Sequence, residues 1–218
     1  MMFQRQIREG QDYKLSSAPE GAHAKIISHI GAAGKILDVG CGLGYLGQIC
    51  VKKGCYVVGI EPDAKRAEEA RRAVNKVITG NVEDIDSFGL EKDFFDAIIL
   101  ADVLEHSARP DIVLVTLKKY LKDGGRIIVS VPNIARVDSR IKLLLGKFEY
   151  EDGGIFDKTH LRFFTGRSIL KLLTQCGYEI KHRDYSGVVS RFGFLKFMAG
   201  LLAFQIIIVA EKKSAARS

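Results

Sequence analysis

The fold is decided by residues 35–47, which read KILDVGCGLGYLG. An apolar run ends in a carboxylate, Asp38, and a glycine cluster follows before a helical pattern begins at Tyr45. Glycine tolerates positive φ and has no Cβ, so such a turn can lie very close to a ligand. The next helix presents free N–H groups at its start. The stretch therefore predicts a strand, a ligand-binding turn and a helix.

Two cofactor fingerprints overlap in this turn. Gly42, Gly44 and Gly47 satisfy the dinucleotide pattern G-x-G-x-x-G. Asp38 and an additional glycine, Gly40, stand before them. A pyrophosphate is anionic and binds bare N–H groups, so a carboxylate at the strand end opposes it. The carboxylate favours a cationic ligand. The residues that follow the later strands help to decide between the two cofactor patterns.

Strands and helices alternate along most of the chain. The strands are short, β-branched and apolar, which is typical of a parallel sheet covered on both faces. Their alternation with helices indicates a doubly wound α/β sheet. The predicted strands are residues 35–39, 55–60, 76–79, 95–100, 126–131, 178–185 and 205–211. The predicted helices are residues 20–30, 45–53, 63–74, 111–121, 134–145, 168–176 and 188–204.

The charge is unevenly placed along the 218 residues. Residues 134–218 hold 15 basic and 8 acidic side chains, which accounts for the net charge of +7. This excess indicates an anionic acceptor or surface, or else a solvated basic face that serves solubility. The four cysteines have no metal-ligand spacing, which indicates reduced thiols, no metal and a cytoplasmic setting. The N-terminus has no apolar core of signal-peptide length.

Polar or small residues follow each of the first five predicted strands. In a doubly wound sheet, ligands bind at the carboxyl ends of the strands, so these segments are expected to meet at one rim. The segments are residues 38–44, 61–63, 80–84, 101–106 and 132–133.

Five sequence words carry a resemblance to class I S-adenosylmethionine (SAM) dependent methyltransferases. They are ILDVGCGLGYLG (36–47), VVGIEPD (57–63), GNVEDID (80–86), FDAIILADVLEH (95–106) and LKDGGRIIVSVPN (121–133). The resemblance implies a mostly parallel seven-stranded sheet with helices on both faces, an antiparallel last strand and an insertion after the fifth strand. GKFEY (146–150) and DKTHLRFFT (157–165) are similar to a subgroup that often accompanies bacterial cell-surface glycan and lipid biosynthesis.

The resemblance also implies one methyltransferase domain over residues 1–218. Its expected parts are an N-terminal extension (1–19), a SAM-binding core (20–133), a substrate-side insertion (134–166) and C-terminal helices and strands (167–218).

The resemblance implies SAM as the cofactor and gives each strand end a role. Asp38 and the glycine turn would surround the methionine moiety, where a carboxylate suits the cationic sulfonium and amino groups. Glu61 would accept hydrogen bonds from the ribose hydroxyls, since both carboxylate oxygens accept. Asn81 would meet the adenine, and residues 101–103 would pass near the reactive methyl. The implied set is Asp38, Gly40, Cys41, Gly42, Gly44, Glu61, Pro62, Asn81, Val82, Ala101, Asp102 and Val103.

The acceptor side is predicted from the later words. His160 and His106 are candidate general bases, with His160 the preferred acceptor-side group, and either histidine has a structural role as its alternative. Arg162, with Lys158 and Arg136, would bind a phosphate or carboxylate of a small-molecule, glycan or lipid-linked acceptor. The predicted acceptor-binding residues are Tyr150, His160, Arg162 and Asn133.

Other functions remain as alternatives at this point. A protein that binds SAM without turnover and a nucleic-acid methyltransferase are the main ones, although no N-P-P-[YF]-like word follows the fourth strand and no stable nucleic-acid partner is expected. A nicotinamide oxidoreductase would need a sixth parallel strand. The apolar residues 192–204 are either core or an exposed helix that touches a membrane or a partner.

Overall fold

Seven strands form one sheet in the computed structural model, which describes residues 21–187 and 198–213. The strands are β1 (Lys35–Val39), β2 (Tyr56–Glu61), β3 (Lys76–Thr79), β4 (Phe95–Ala101), β5 (Leu121–Pro132), β6 (Tyr178–Ser186) and β7 (Gln205–Lys212). Their order is β3-β2-β1-β4-β5-β7-β6. The first five strands are parallel, and β7 runs antiparallel to both β5 and β6. The predicted fold is thereby confirmed, including the antiparallel last strand.

Helices cover both faces of this sheet. They are α1 (Ala22–Ser28), α2 (Tyr45–Lys52), α3 (Ala64–Ala70), α4 (Pro110–Leu117), α5 (Val137–Leu144), α6 (Gly166–Gln175) and α7 (Ala199–Leu202), with 3₁₀ helices at Val82–Ser87 and Leu104–His106. Successive strand residues face opposite sides, so Ile36 packs with α1 and α2 while Leu37 belongs to the core under α4 and α6. This explains why the strands are apolar throughout.

Most predicted boundaries agree with the structure to within a few residues. The main differences are at β5, α3 and α4, and α4 ends at Leu117 rather than at residue 121. Strand β5 begins at Leu121, opposite Phe95, and the predicted turn at residues 123–125 is an irregularity inside the strand, with Gly124 at φ +74°. Helix α3 ends at Ala70 rather than at residue 74, and Asn75 beyond it accepts a hydrogen bond from Val57 N at 2.8 Å.

Two predicted segments fall partly or wholly outside the described residues. The extension at residues 1–19 lies outside them, as do residues 188–197 of the apolar C-terminal segment. The described part of that segment contains α7 and the fully buried Ala203. Within the described ranges, no helix combines the length and apolar character needed to cross a membrane.

Candidate functional site

The turn after β1 bends back across the end of β2. Gly40 N and Cys41 N both donate to the carbonyl of Ile60, at 2.8 and 3.1 Å. Gly40 has φ +68°, and a Cβ there would lie 2.9 Å from Cγ2 of Val103. Gly42 has φ +56° and would meet nothing within 4 Å. Gly40 is therefore required by packing, whereas the space beside Gly42 is open to a ligand.

Gly47 has a packing role instead. A Cβ on Gly47 would lie 2.5 Å from Cγ1 of Val74 and 3.2 Å from Cγ1 of Val57, so the glycine lets α2 lie close to its neighbours. The match to the dinucleotide pattern thus includes one glycine that serves helix packing. Cys41 is buried beside Gly59, and burial raises the pKa of its thiol, which disfavours the nucleophilic thiolate.

Asp38, the fourth of the five residues of β1, is a buried carboxylate. Only 2% of the residue is exposed, and no side chain or main-chain group of the described residues hydrogen-bonds its Oδ2. Burial and the charge of Glu61 raise the pKa of Asp38 to about 7, against a hydrogen bond from the Gly47 amide that lowers it. A buried carboxylate in this state would be stabilised by a cationic ligand.

Glu61 ties the ends of β1 and β2 together. It is 2% exposed, and its two oxygens accept from Gly42 N at 2.8 Å and from Asp63 N at 3.0 Å. A carboxylate has about four acceptor positions, so these two bonds leave capacity for the hydroxyls of a ribose. Pro62 is exposed beside it.

The end of β3 joins this rim. Gly80 N donates to the carbonyl of Glu61 at 3.0 Å. Asn81 is exposed and caps the following 3₁₀ helix, with Oδ1 accepting from Glu83 N at 3.1 Å, while Val82 is buried in the core. These contacts bring three strand ends together, as the sequence predicted.

The end of β4 holds an unusual backbone conformation. Asp102 has φ +53°, a region that residues other than glycine seldom adopt. Its carboxylate accepts from Nε2 of Gln205, which lies 2.7 Å from each oxygen, and from Oγ of Ser130 at 3.2 Å. These hydrogen bonds hold Asp102 in its unusual backbone conformation. Ala101 and Val103, on either side of it, are partly buried. Sequence reasoning missed Gln205, because it is 103 positions away.

On the acceptor side, the two candidate histidines touch. The ring centroids of His106 and His160 are 4.9 Å apart at 67°. Nδ1 of His106 lies 3.1 Å from the carbonyl of Thr159, and Nδ1 of His160 lies 3.0 Å from the carbonyl of Ile155. A carbonyl only accepts, so each Nδ1 carries a proton, and whenever either ring is neutral its lone pair is on Nε2.

The insertion is fastened to the β4 turn by its main chain. The carbonyl of Glu105 accepts from Leu161 N at 2.7 Å and from Arg162 N at 3.0 Å. Nη2 of Arg162 donates to the carbonyl of Ala108 at 2.6 Å. The segment at residues 102–106 and the segment at residues 157–165 therefore form one structural unit.

This unit concentrates ionisable side chains. Glu105 is buried, and one potential ligand atom from each of Glu105, His106 and His160 lies within 4.8 Å of the others, a grouping that could hold a cation. Burial opposes ionisation of Asp157, but hydrogen bonds from Thr159 and the charges of His160 and His106 outweigh it and lower its pKa.

The remaining predicted acceptor residues have different surroundings. Asn133 is fully buried, and its Nδ2 donates to the carbonyls of Gly200 and Ala203 at 2.9 and 3.1 Å. Its Oδ1 accepts from Ala135 N at 3.1 Å. These contacts fix α7 against the end of β5 and occupy the amide. Tyr150 is 60% exposed, which leaves it accessible to an acceptor.

The fold and this rim define the class of SAM-dependent class I methyltransferases. The residues present fit that cofactor, because the glycine turn is open at Gly42 and the buried Asp38 Oδ2 has no hydrogen-bond partner among the described residues. The chain belongs to the family described as "Methyltransferase domain", whose pattern matches residues 11–183.

The comparisons with individual proteins agree with this class. The chain is 32% identical to the ubiquinone biosynthesis O-methyltransferase of Nitrobacter winogradskyi over 45% of this chain and 39% of that protein. It is 27% identical to the mitochondrial enzyme of that name from Mus musculus, over 67% of this chain and 42% of that protein. The chain thus spans only about two fifths of the length of these relatives.

Solved structures share the fold at low sequence identity. A SAM-dependent methyltransferase from Archaeoglobus fulgidus is 16% identical, with a TM-score of 0.65 and coverage of 87% of this chain and 90% of that one. A possible histamine N-methyltransferase from Thermotoga maritima is 21% identical, with a TM-score of 0.65 and coverage of 88% and 87%.

Proposed function

We propose that this protein transfers a methyl group from SAM to a hydroxyl group of a small-molecule, glycan or lipid-linked acceptor. The observation that carries the proposal is the contact between His106 and His160 beside the cofactor rim. Val103, three residues before His106, packs against Gly40 of the glycine turn. A candidate base is therefore held next to the position expected for the reactive methyl.

Each chemical requirement of the reaction has a candidate residue in or beside this rim. The cofactor supplies a methyl group on a sulfonium, which is an activated leaving group for in-line displacement. Asp38 would neutralise its positive charge, and Glu61 would hold its ribose. Such alignment contributes up to about 7–11 kcal/mol in favourable systems. Nε2 of His160 or His106 would accept the hydroxyl proton, which typically contributes ~10²–10⁴-fold.

The choice of a hydroxyl acceptor draws on the relatives, which are named O-methyltransferases. An anionic acceptor is supported mainly by Arg162. Lys158 and Arg136 already form ion pairs with Asp152 at 2.9 Å and Asp138 at 3.3 Å. Arg162 instead donates to a neutral carbonyl and keeps its charge for a ligand.

A labelled-methyl assay tests the proposal. The protein would first be titrated with SAM, and then offered hydroxylated aromatic acids, nucleotide sugars, polyprenyl-linked sugars and, as a contrasting class, RNA. We expect micromolar SAM binding, a methyl ether as product from at least one of the first three acceptor classes, and no product from RNA. Methylated RNA would establish the alternative function, and SAM binding without product from any class would indicate a binding protein without turnover. Absence of SAM binding would contradict the cofactor.

A further inference from the structure

Helix α5 exposes an unusual amount of apolar surface for its position in the fold. Of its eight residues only Ser139 is buried. The exposed fractions are 52% for Ile141, 86% for Leu144, 64% for Leu145 and 45% for Phe148 just beyond the helix. We call these four residues the α5 surface. Contiguous exposed apolar side chains of this kind are typical of a surface that has a partner.

Positive charge surrounds the α5 surface. Residues 136–148 contain four basic side chains and one acidic one. Lys142 pairs with Glu151 at 2.6 Å, and Arg136 pairs with Asp138 at 3.3 Å. Arg140 donates its Nε to a neutral carbonyl, that of Ala135, at 2.7 Å, so its charge is not cancelled there. The α5 surface is therefore apolar and is bordered by positive charge.

We propose that the α5 surface lies on an anionic lipid bilayer. A short helix with an apolar surface flanked by Lys and Arg is suited to the headgroup boundary, where burial of apolar side chains and attraction to anionic lipids act together. Gly146, at φ +69°, ends the helix and turns the chain back, since Lys147 N donates to the carbonyl of Lys142 at 2.8 Å. A second copy of the chain is a poorer occupant, because a two-fold contact would bring two positive rims together.

The adjoining C-terminal segment has the same character. Residues 186–210 contain no Asp or Glu. The described later part of this region is joined to the loop before α5, since Asn133 N donates to the carbonyl of Phe204 at 2.9 Å and the guanidinium of Arg136 lies 5.4 Å from the Phe204 ring. Phe204 is 38% exposed. No acidic side chain of this segment would therefore repel an anionic surface.

An aromatic cluster connects the α5 surface to the acceptor side. The ring of Phe148 lies 5.4 Å from that of Phe156 and 5.8 Å from that of Phe163, and the Phe163 ring lies 6.2 Å from that of His160. An apolar acceptor tail could pass along these rings from the bilayer to His160. This last step rests on the proposed function, whereas bilayer binding does not.

Vesicle co-sedimentation tests the proposal. The full chain would be mixed with vesicles of phosphatidylcholine alone or with one third phosphatidylglycerol, at low and high salt. We expect about tenfold stronger binding to the anionic vesicles at low salt, lost as salt is raised. The variant Ile141→Asp/Leu144→Asp should bind them about tenfold more weakly, and Arg140→Gln/Lys147→Gln should lose the preference for anionic lipid.

A matched control is available on α4. Ile112 and Val115 are also exposed, at 48% and 47%, and have the same three-residue spacing as Ile141 and Leu144. Ile112→Asp/Val115→Asp adds the same charge and should leave vesicle binding unchanged.

The proposal is overturned if the wild-type chain does not bind anionic vesicles, or if both Asp pairs weaken binding equally. A dimer that only the α5 pair disrupts, without vesicle binding, would assign the surface to a second copy. SAM titration of each variant shows that the fold persists and keeps this result separate from the proposed function.

Discussion

The cofactor side and the acceptor side of this protein are built in different ways. On the cofactor side, buried carboxylates and glycines lie where adjacent parallel strands end, and main-chain hydrogen bonds hold them. On the acceptor side, His106 and His160 are 54 positions apart in the sequence, and aromatic rings and a loop hold them in contact. We therefore expect the cofactor to be recognised by fixed backbone geometry and the acceptor by side chains that distant segments bring together.

The most direct test of whether the two sides are independent is to change the acceptor side alone. His160→Gln should lower turnover about 10²–10⁴-fold, because a glutamine cannot take the acceptor proton. SAM affinity should stay within about twofold, since the amide can still donate to the carbonyl of Ile155. Steady-state kinetics with an acceptor from the labelled-methyl assay, together with a SAM titration, would measure both.

His182→Gln is the matched control, because His182 is exposed on β6. Its turnover should equal that of the wild type. His106→Gln distinguishes the two candidates: if it alone abolished turnover, His106 would be the base and His160 would serve to position it. A large loss of SAM affinity in His160→Gln would show that the two sides are not independent.

The same contrast determines what the sequence could predict. Strands β1 and β3 have the predicted bounds, because an apolar run between turn residues fixes both ends locally. The rim after these strands followed from the topology, since parallel strands must end at the same edge. By contrast, the bond from Gln205 to Asp102 and the contact of His106 with His160 join distant segments, and neither periodicity nor turn chemistry encodes such pairs.

Asn133 shows a second limit of prediction from sequence. A polar residue at a strand end resembles a ligand-binding residue in sequence. In the structure its amide group is occupied by three main-chain groups, the carbonyls of Gly200 and Ala203 and the N–H of Ala135. The role of a polar side chain at a strand end therefore depends on where later segments pack.

On the cofactor side, the largest expected effect belongs to Asp38. Asp38→Asn should weaken SAM binding about 100-fold, since a hydrogen bond between charged groups is worth roughly 1.5–3 kcal/mol. Its pKa is raised to about 7 in the folded protein, so its contribution to stability is present below the unfolded pKa and is lost as pH rises toward 7. The ligand-free variant should therefore melt at a higher temperature than the wild type at pH 8, and at a similar temperature near pH 4.

Asp102→Asn provides the contrast for this measurement. The carboxylate of Asp102 already accepts from Gln205 and Ser130, so its neutralisation should lower the melting temperature at pH 8. If Asp38→Asn also melted lower than the wild type, Asp38 would be stabilised by the fold itself and would not await a cationic ligand.

The raised pKa of Asp38 also predicts a pH-dependent affinity. Only the ionised carboxylate attracts a cation, so the SAM dissociation constant should fall about tenfold between pH 6 and pH 8, as a group with a pKa of about 7 becomes ionised. Binding near pH 7 should release about half a proton per SAM molecule, because about half of the Asp38 carboxyls are still protonated there. Calorimetry in buffers of different ionisation enthalpy would detect this release. The affinity for the acceptor should not depend on pH through Asp38. A SAM binding enthalpy that is the same in all buffers would contradict the raised pKa of Asp38.

The smallest expected effect separates two glycines of the turn. Gly42→Ala should destabilise the ligand-free protein by only about 1 kcal/mol, because φ is +56° but the added methyl meets nothing within 4 Å. Gly40→Ala should cost more, about 2–3 kcal/mol, since its methyl would lie 2.9 Å from Cγ2 of Val103. SAM affinity should follow the opposite order, with Gly42→Ala the more damaging once each variant is folded, because the space beside Gly42 is where we expect the cofactor. Denaturant unfolding and SAM titration of the two variants measure both orders.

If Gly42→Ala bound SAM like the wild type, the open side of the turn would not face the cofactor, and the assignment of the rim would have to shift toward Glu61 and the end of β3.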